Sequence, residues 1–171
     1  MKRYIKATIR PLSDEGCDIT REIAELTTES EVLSELSQSW DRITRKRVAE
    51  NPNTSEDILH ILAEDPEGEV RHGVILNPNC PDDLYEKLSR DSNDLCRSFA
   101  AQSPRTPANL LYKLSTDYVW WVRNPVITNP NTTDDILLHI YEYYSSHGTW
   151  SENRTTANLA KKELERRGVQ I

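Results

Sequence analysis

Glycine occurs five times in this 171-residue chain, cysteine three times, and phenylalanine and methionine once each. So few glycines disfavour a phosphate-cradling loop. No G-x-x-x-x-G-K-[ST], G-x-G-x-x-G or G-x-S-x-G string occurs. Cys17, Cys80 and Cys96 are odd in number and far apart, with no C-x-x-C pair. This argues against a disulfide framework, a zinc ribbon or an iron–sulfur cage, and points to a reducing cytoplasm. His60, His72, His139 and His147 show no H-E-x-x-H or other ligand spacing. No catalytic residue, metal or cofactor is therefore expected. No apolar run approaches the roughly 18 residues of a membrane helix. The segment Met1-Lys2-Arg3-Tyr4-Ile5-Lys6 has no continuous apolar stretch behind its charges, unlike a secretory signal. Positive charge is also in deficit: the formal net charge of -7 argues against a general nucleic-acid coat, though not against a local basic patch. Leu, Ile, Val and Phe make up about 22 % of the residues, just above the roughly 20 % below which charged chains stay disordered. The expectation is a folded chain with a thin core, as one domain or two very small ones.

What the chain does have is a period. Pro52, Pro78, Pro104 and Pro130 recur every 26 residues, and Arg45, Arg71, Arg97 and Arg123 keep the same interval. So do Leu62, Leu88, Leu114 and Ile140. Asp65, Asp91 and Asp117 match as well, but that series ends at Tyr143. Several columns sharing one ungapped period define a repeat. Within each unit, Ile58/Leu59/Leu62, Leu84/Leu88, Leu110/Leu111/Leu114 and Ile136/Leu137/Ile140 trace one face of a helix about ten residues long. Thr54, Thr106 and Thr132 stand where they would cap it, with Asp57, Asn109 and Asp135 three residues on. Pro81 and Pro107 directly follow the cap position. A second piece carries small or β-branched residues: Val48/Ala49, Val70/Val74/Ile75, Cys96/Ala100/Ala101 and Val122/Val126/Ile127. One of its columns reads Arg47, Gly73, Phe99, Pro125. Glycine and proline there predict a short or 3₁₀-like helix, stopped by the following Asn-Pro.

A further unit lies upstream, at Thr28-Glu29-Ser30-Glu31 with Val32, Leu33 and Leu36 in register. The array therefore begins near residue 27, and it fades after Ile140. A single unit cannot bury its apolar face alone, so the units stack. The predicted fold is all-α: a right-handed or gently curved α-solenoid of about five 26-residue repeats. Residues 1–26 form an N-terminal cap, with a short strand at Tyr4 to Ile9 and a helix; residues 27–144 form the array. Residues 145–171 form a C-terminal cap, with a loop at Ser145-Ser146-His147-Gly148 and a helix from Asn158 to Arg167 ending at Gly168.

The string Val70-Arg71-x-x-Val74, Asn77-Pro78-Asn79, Pro81-x-x-Leu84, Leu88 and Asp91 resembles the leucine-rich repeat variant family. The resemblance spans roughly residues 27–143, with a unit somewhat longer than that family's. It implies an α-helix alternating with a 3₁₀ helix in a right-handed superhelix without strands. Some members carry an iron–sulfur cluster on N-terminal cysteines; with Cys17 alone in that region, the cluster does not carry over. The family implies a scaffold, not one activity.

Two sets of residues stand out as binding candidates. Arg71, Arg97 and Arg123, with Arg45, form a row. It reads either as cations spaced for phosphates or an acidic peptide, or as an internal ladder in which each Arg meets an Asp of the matching column. The aromatics Tyr118, Trp120, Trp121, Tyr144 and Trp150 gather towards the C-terminal end, joined by Tyr112, Tyr141 and Tyr143. Adjacent tryptophans on a helix cannot both face one core, and aromatic anchors dominate interface energetics. The paired acids Asp82-Asp83 and Asp134-Asp135 fall in first helical turns, where the helix dipole accounts for them. The sequence thus predicts a non-enzymatic, cytoplasmic protein-binding scaffold with a protein partner and no membrane contact. Two alternatives remain at this stage. One is an acidic inhibitor of a nucleic-acid-binding enzyme; the other is a DNA-directed helical-repeat protein using the Arg row.

Overall fold

A computed structural model describes residues 14–146 and 151–171, with side chains from residue 18 onward. The expected strand at Tyr4 to Ile9, the Cys17 side chain, His147, Gly148 and Trp150 lie outside the described residues. The described residues form eleven α-helices and no strand. The chain divides into two compact units, residues 1–88 and residues 89–171.

In the first unit, α1 (Asp14–Leu26) is followed by α2 (Ser30–Leu36), α3 (Arg42–Glu50), α4 (Glu56–Leu62), α5 (Gly68–Leu76) and α6 (Asp82–Leu88). Helices α1, α3 and α5 form one row and pack side by side. The seven-residue helices α2, α4 and α6 bury Val32/Leu33/Leu36, Ile58/Leu59/Leu62 and Leu84/Tyr85/Leu88. Each fully buried Leu in this series is worth about 1.5–3 kcal/mol of transfer free energy.

The two helix types reverse the expected lengths. The leucine helix runs seven residues instead of ten, because Thr54 does not cap it. The Thr54 hydroxyl instead donates backwards to the Val48 carbonyl at 2.5 Å, and the helix starts only after Ser55. The second piece is a nine-residue α-helix, not a 3₁₀ turn. Gly73 is tolerated in α5 because a neighbour takes its place: a Cβ there would lie 3.0 Å from Ala49 Cβ and 3.1 Å from the Lys46 carbonyl. The helix gives up some propensity and gains close approach to α3. The stop falls where expected. Asn51 and Asn77 are extended at ψ 125° and 128°, as the residue before proline must be. Their buried amides then bind the preceding turn. Asn77 Nδ2 donates to the carbonyls of Ala49 and Asn51, and Asn51 Nδ2 to those of Ala24 and Thr27.

The second unit repeats this design with α7 (Asp94–Gln102), α8 (Ala108–Leu114), α9 (Trp120–Thr128), α10 (Asp134–Ser146) and α11 (Ser151–Arg166). Thr106 and Thr132 donate to the carbonyls of Ala100 and Val126, and Asn129 donates to those of Ala101 and Ser103. Pro107 occupies the N-cap of α8, one position earlier than expected. Pro125 lies inside α9 and cannot donate to the Trp121 carbonyl four residues back. The Ser98 hydroxyl of α7 supplies that bond instead, at 2.9 Å. Cys96 is fully buried, as is Cys80 in the first unit.

Two helices exceed the pattern. Helix α10 runs thirteen residues where α8 runs seven, absorbing Ser145 and Ser146. Helix α11 starts at Ser151, not Asn158, and packs on both α9 and α10. It ends as predicted at Gly168, whose φ of 81° sets up bonds from Val169 N–H to the Leu164 carbonyl and from Gly168 N–H to that of Glu165.

Candidate functional site

The arginine column decides where a site can form. Arg97 is 6 % exposed. Its Nε and Nη2 grip Asp117 at 2.7 and 3.2 Å, while Nη1 donates to the carbonyls of Asp91 and Ser92. The bidentate bond to Asp117 outweighs burial and raises the arginine's pKa further. In the first unit Arg45 meets Asp65 the same way, at 2.6 and 3.0 Å, with Nη1 on the carbonyls of Ser39 and Trp40. Arg71 Nη1 likewise donates to the carbonyls of Asp65 and Pro66. The aspartates also order the turns: Asp65 accepts from Glu67 N–H and Asp117 from Val119 N–H.

A further rung escaped the sequence reading. Arg21 binds Asp41 at 2.9 and 3.2 Å. It stands 24 residues before Arg45, so a search at 26 passes over it. Burial would raise the Asp41 carboxyl, but hydrogen bonds from Arg21 and Thr44 override it and bring its pKa down to about 2.

Arg123 breaks the series. It is 3 % exposed, and its Nη1 donates to the carbonyls of Asp117 and Tyr118 as the other rungs do. The position 20 residues on, however, is Tyr143. In place of a carboxylate, Nη2 meets Asn153 Oδ1 at 2.7 Å and Nε meets Thr156 Oγ1 at 3.3 Å, both from α11. The guanidinium sits 4.8 Å from the centre of the Tyr144 ring. The cause lies in α10. In earlier units the leucine helix ends and a turn brings its aspartate to the arginine. Here the helix continues, and position 143 stays helical.

Where that turn would have stood there is a cleft of about 420 Å³, lined by Thr116, Asp117, Tyr118, Trp120, Arg123, Tyr143, Tyr144, Glu152 and Asn153. The volume is that of a small-ligand or side-chain pocket. Tyr118 is 82 % exposed, with Arg97 5.0 Å from its ring centre. Trp120 is 46 % exposed. Tyr143 stands edge-on to Tyr144, which is buried; burial raises the Tyr144 phenol, whose OH donates to the Ser115 carbonyl. Tyr112, His139 and Tyr143 continue the ring series along the unit.

Of the sequence candidates, the cleft gathers Tyr118, Trp120, Tyr144 and Arg123. Trp121 lies beside it, edge-on to Trp120 at 5.6 Å and 43 % exposed, so neither tryptophan enters the core. Arg97 stands behind Tyr118, and Arg71 belongs to the first unit. Glu152 and Asn153 were not anticipated, since α11 shares no column with the repeat. A second cavity, in the first unit, is lined by Asp18, Arg21, Glu22, Glu25, Leu26, Ile43 and Arg47, whose arginines already have acidic partners there. Among the described residues no cluster of three His, Cys, Asp or Glu could hold a metal ion, and no helix is long and apolar enough to cross a membrane.

No family model and no curated protein matches the chain. Among solved structures it is similar to an engineered protein, at 16 % identity and a TM-score of 0.44, with 96 % of this chain and 98 % of the other covered.

Proposed function

We propose that the chain is a right-handed α-solenoid of about five 26-residue repeats that serves as a non-enzymatic protein-binding scaffold, with the aromatic cleft of residues 89–171 as its anchor site. The observation that carries this reading is the exposure of Tyr118, Trp120 and Trp121 beside a cleft that already has shape and a polar floor. Half-exposed aromatics around a pocket are the side chains that dominate binding energy when a partner covers them. The buried arginines support a protein partner over a nucleic acid. Arg45 and Arg97 each hold an aspartate in bidentate fashion inside the fold, which takes both out of a row of cations for phosphates.

The test is retrieval of the native partner with the tagged chain, repeated with Trp120→Ala and Tyr118→Ala, with helicity followed by circular dichroism. Each variant is expected to retain its helices and to lose the partner at least tenfold, the scale of an aromatic hot spot. Undiminished recovery by both folded variants would overturn the assignment of the cleft.

A further inference from the structure

Arg123 is a buried cation facing a cleft, and among the described residues its partners are all neutral. The structure shows what this guanidinium geometry takes when it is satisfied: on Arg97, Arg45 and Arg21 the Nε and Nη2 edge holds a carboxylate in bidentate fashion. On Arg123 the same edge holds the Asn153 amide oxygen, which lines the cleft, and the buried Thr156 hydroxyl. A guanidinium out of water without a counter-ion is costly, so an anion delivered there gains more than it would at the surface. Tyr118, Trp120, Tyr143 and Tyr144 give the cleft an aromatic side, Thr116 and Asp117 line it as well, the Asp117 carboxylate being held by Arg97, and the rim carries the Glu152 carboxylate. A string of acids would be repelled by Glu152 and by the chain's net charge of -7.

Resting on the reading of this cleft as the partner site, we propose that it takes the free C-terminal carboxylate of a partner polypeptide whose last residue is apolar or aromatic. Within a polypeptide, only the last residue carries a carboxylate and an apolar side chain on the same carbon, which matches a cationic floor beside aromatic walls. The carboxylate displaces Asn153 Oδ1 and takes its place on Nη2 of Arg123, while the Thr156 hydroxyl keeps Nε; the side chain lies against Trp120 and Tyr143.

The probes are N-acetyl-Ala-Ala-Phe with a free carboxylate, the same peptide as its amide, and 3-phenylpropionate. Each is titrated into nitrogen-labelled full-length protein while the Trp120 indole N–H signal is followed. The acid peptide is expected to bind at least tenfold tighter than the amide, roughly the worth of a charge-assisted hydrogen bond. Asn153→Asp supplies the missing carboxylate from within. It should reduce the acid-to-amide ratio to about one and raise Tm by about 2–4 °C. Equal binding of acid and amide, lost in Trp120→Ala, would overturn the carboxylate assignment while leaving the aromatic anchor standing. Binding of neither peptide, or an acid preference that survives Asn153→Asp, would overturn the proposal too. Tighter binding of 3-phenylpropionate than of the peptide would overturn the polypeptide end as its source. Partner retrieval by Trp120→Ala is a separate measurement, so failure here and failure of the scaffold reading are distinguishable.

Discussion

Arg97 and Arg123 stand one repeat apart in the same unit, both almost fully buried, both bound through Nη1 to two backbone carbonyls. One meets a carboxylate, the other an amide and a hydroxyl. The difference shows how a repeat turns structure into a site. The arginine is kept because it ties the turn at its own helix start. The aspartate is dropped because the last leucine helix runs on past the position where the turn should form. A structural cation is thereby left facing a space that its counter-ion would have filled.

The comparison breaks most visibly in stability. Asp117→Ala leaves Arg97 buried without its carboxylate and frees the Val119 N–H, and is expected to cost about 3–5 kcal/mol. Arg123→Met strands only neutral acceptors and should cost about 1–3 kcal/mol. Urea midpoints at constant slope read both. An equal or larger loss at Arg123 would mean that its neutral rung holds the fold as firmly as the ion pair of Arg97.

The next effect is in the first unit and depends on pH. The Asp41 carboxyl titrates at about 2 when folded, against an ordinary value near 4. A carboxylate depressed in the folded state contributes stability that is present above its unfolded pKa. That contribution is lost as pH falls from about 4 through 2. Its size is about 2 kcal/mol. Asp41→Asn should remove that part of the acid transition, so that the difference between variant and parent shrinks from neutral pH to pH 2. A constant difference across that range would mean that the Arg21–Asp41 rung has no electrostatic share in stability.

The 26-residue period was legible because proline, arginine and leucine each occupy a column for a separate physical reason: a stop, a turn clamp and a core contact. The Arg–Asp pairing could be read from two columns with one period. The first rung could not, because two residues fewer separate Arg21 from Arg45. Thr54, Thr106 and Thr132 misled because a threonine between two helices can cap the next or close the last. Local sequence does not say which, and only the packed carbonyls of Val48, Ala100 and Val126 decide. The site was half visible. Tyr143 in the aspartate column marked the broken rung, and Tyr118 and Trp120 marked the walls. Asn153 and Thr156 gave no signal, because nothing in a non-repeating helix says which face meets Arg123.

The helix containing Pro125 offers the smallest and most specific test of how the repeat accommodates a misfit. In α5 the equivalent residue is Gly73, which lets a neighbouring backbone approach; in α9 it is proline, and the bond it cannot make is supplied from outside by Ser98. If the Ser98 hydroxyl replaces the missing N–H, the two positions must couple. Ser98→Ala alone strands the Trp121 carbonyl and should cost about 1 kcal/mol. In a Pro125→Ala background the restored N–H reaches that carbonyl along the helix, and the same Ser98→Ala change should cost about half as much or less. The coupling in the double-mutant cycle is then about 0.5 kcal/mol or more, read from four urea midpoints. Additive effects would show that the Ser98 bond is incidental and that α9 carries its proline at full cost.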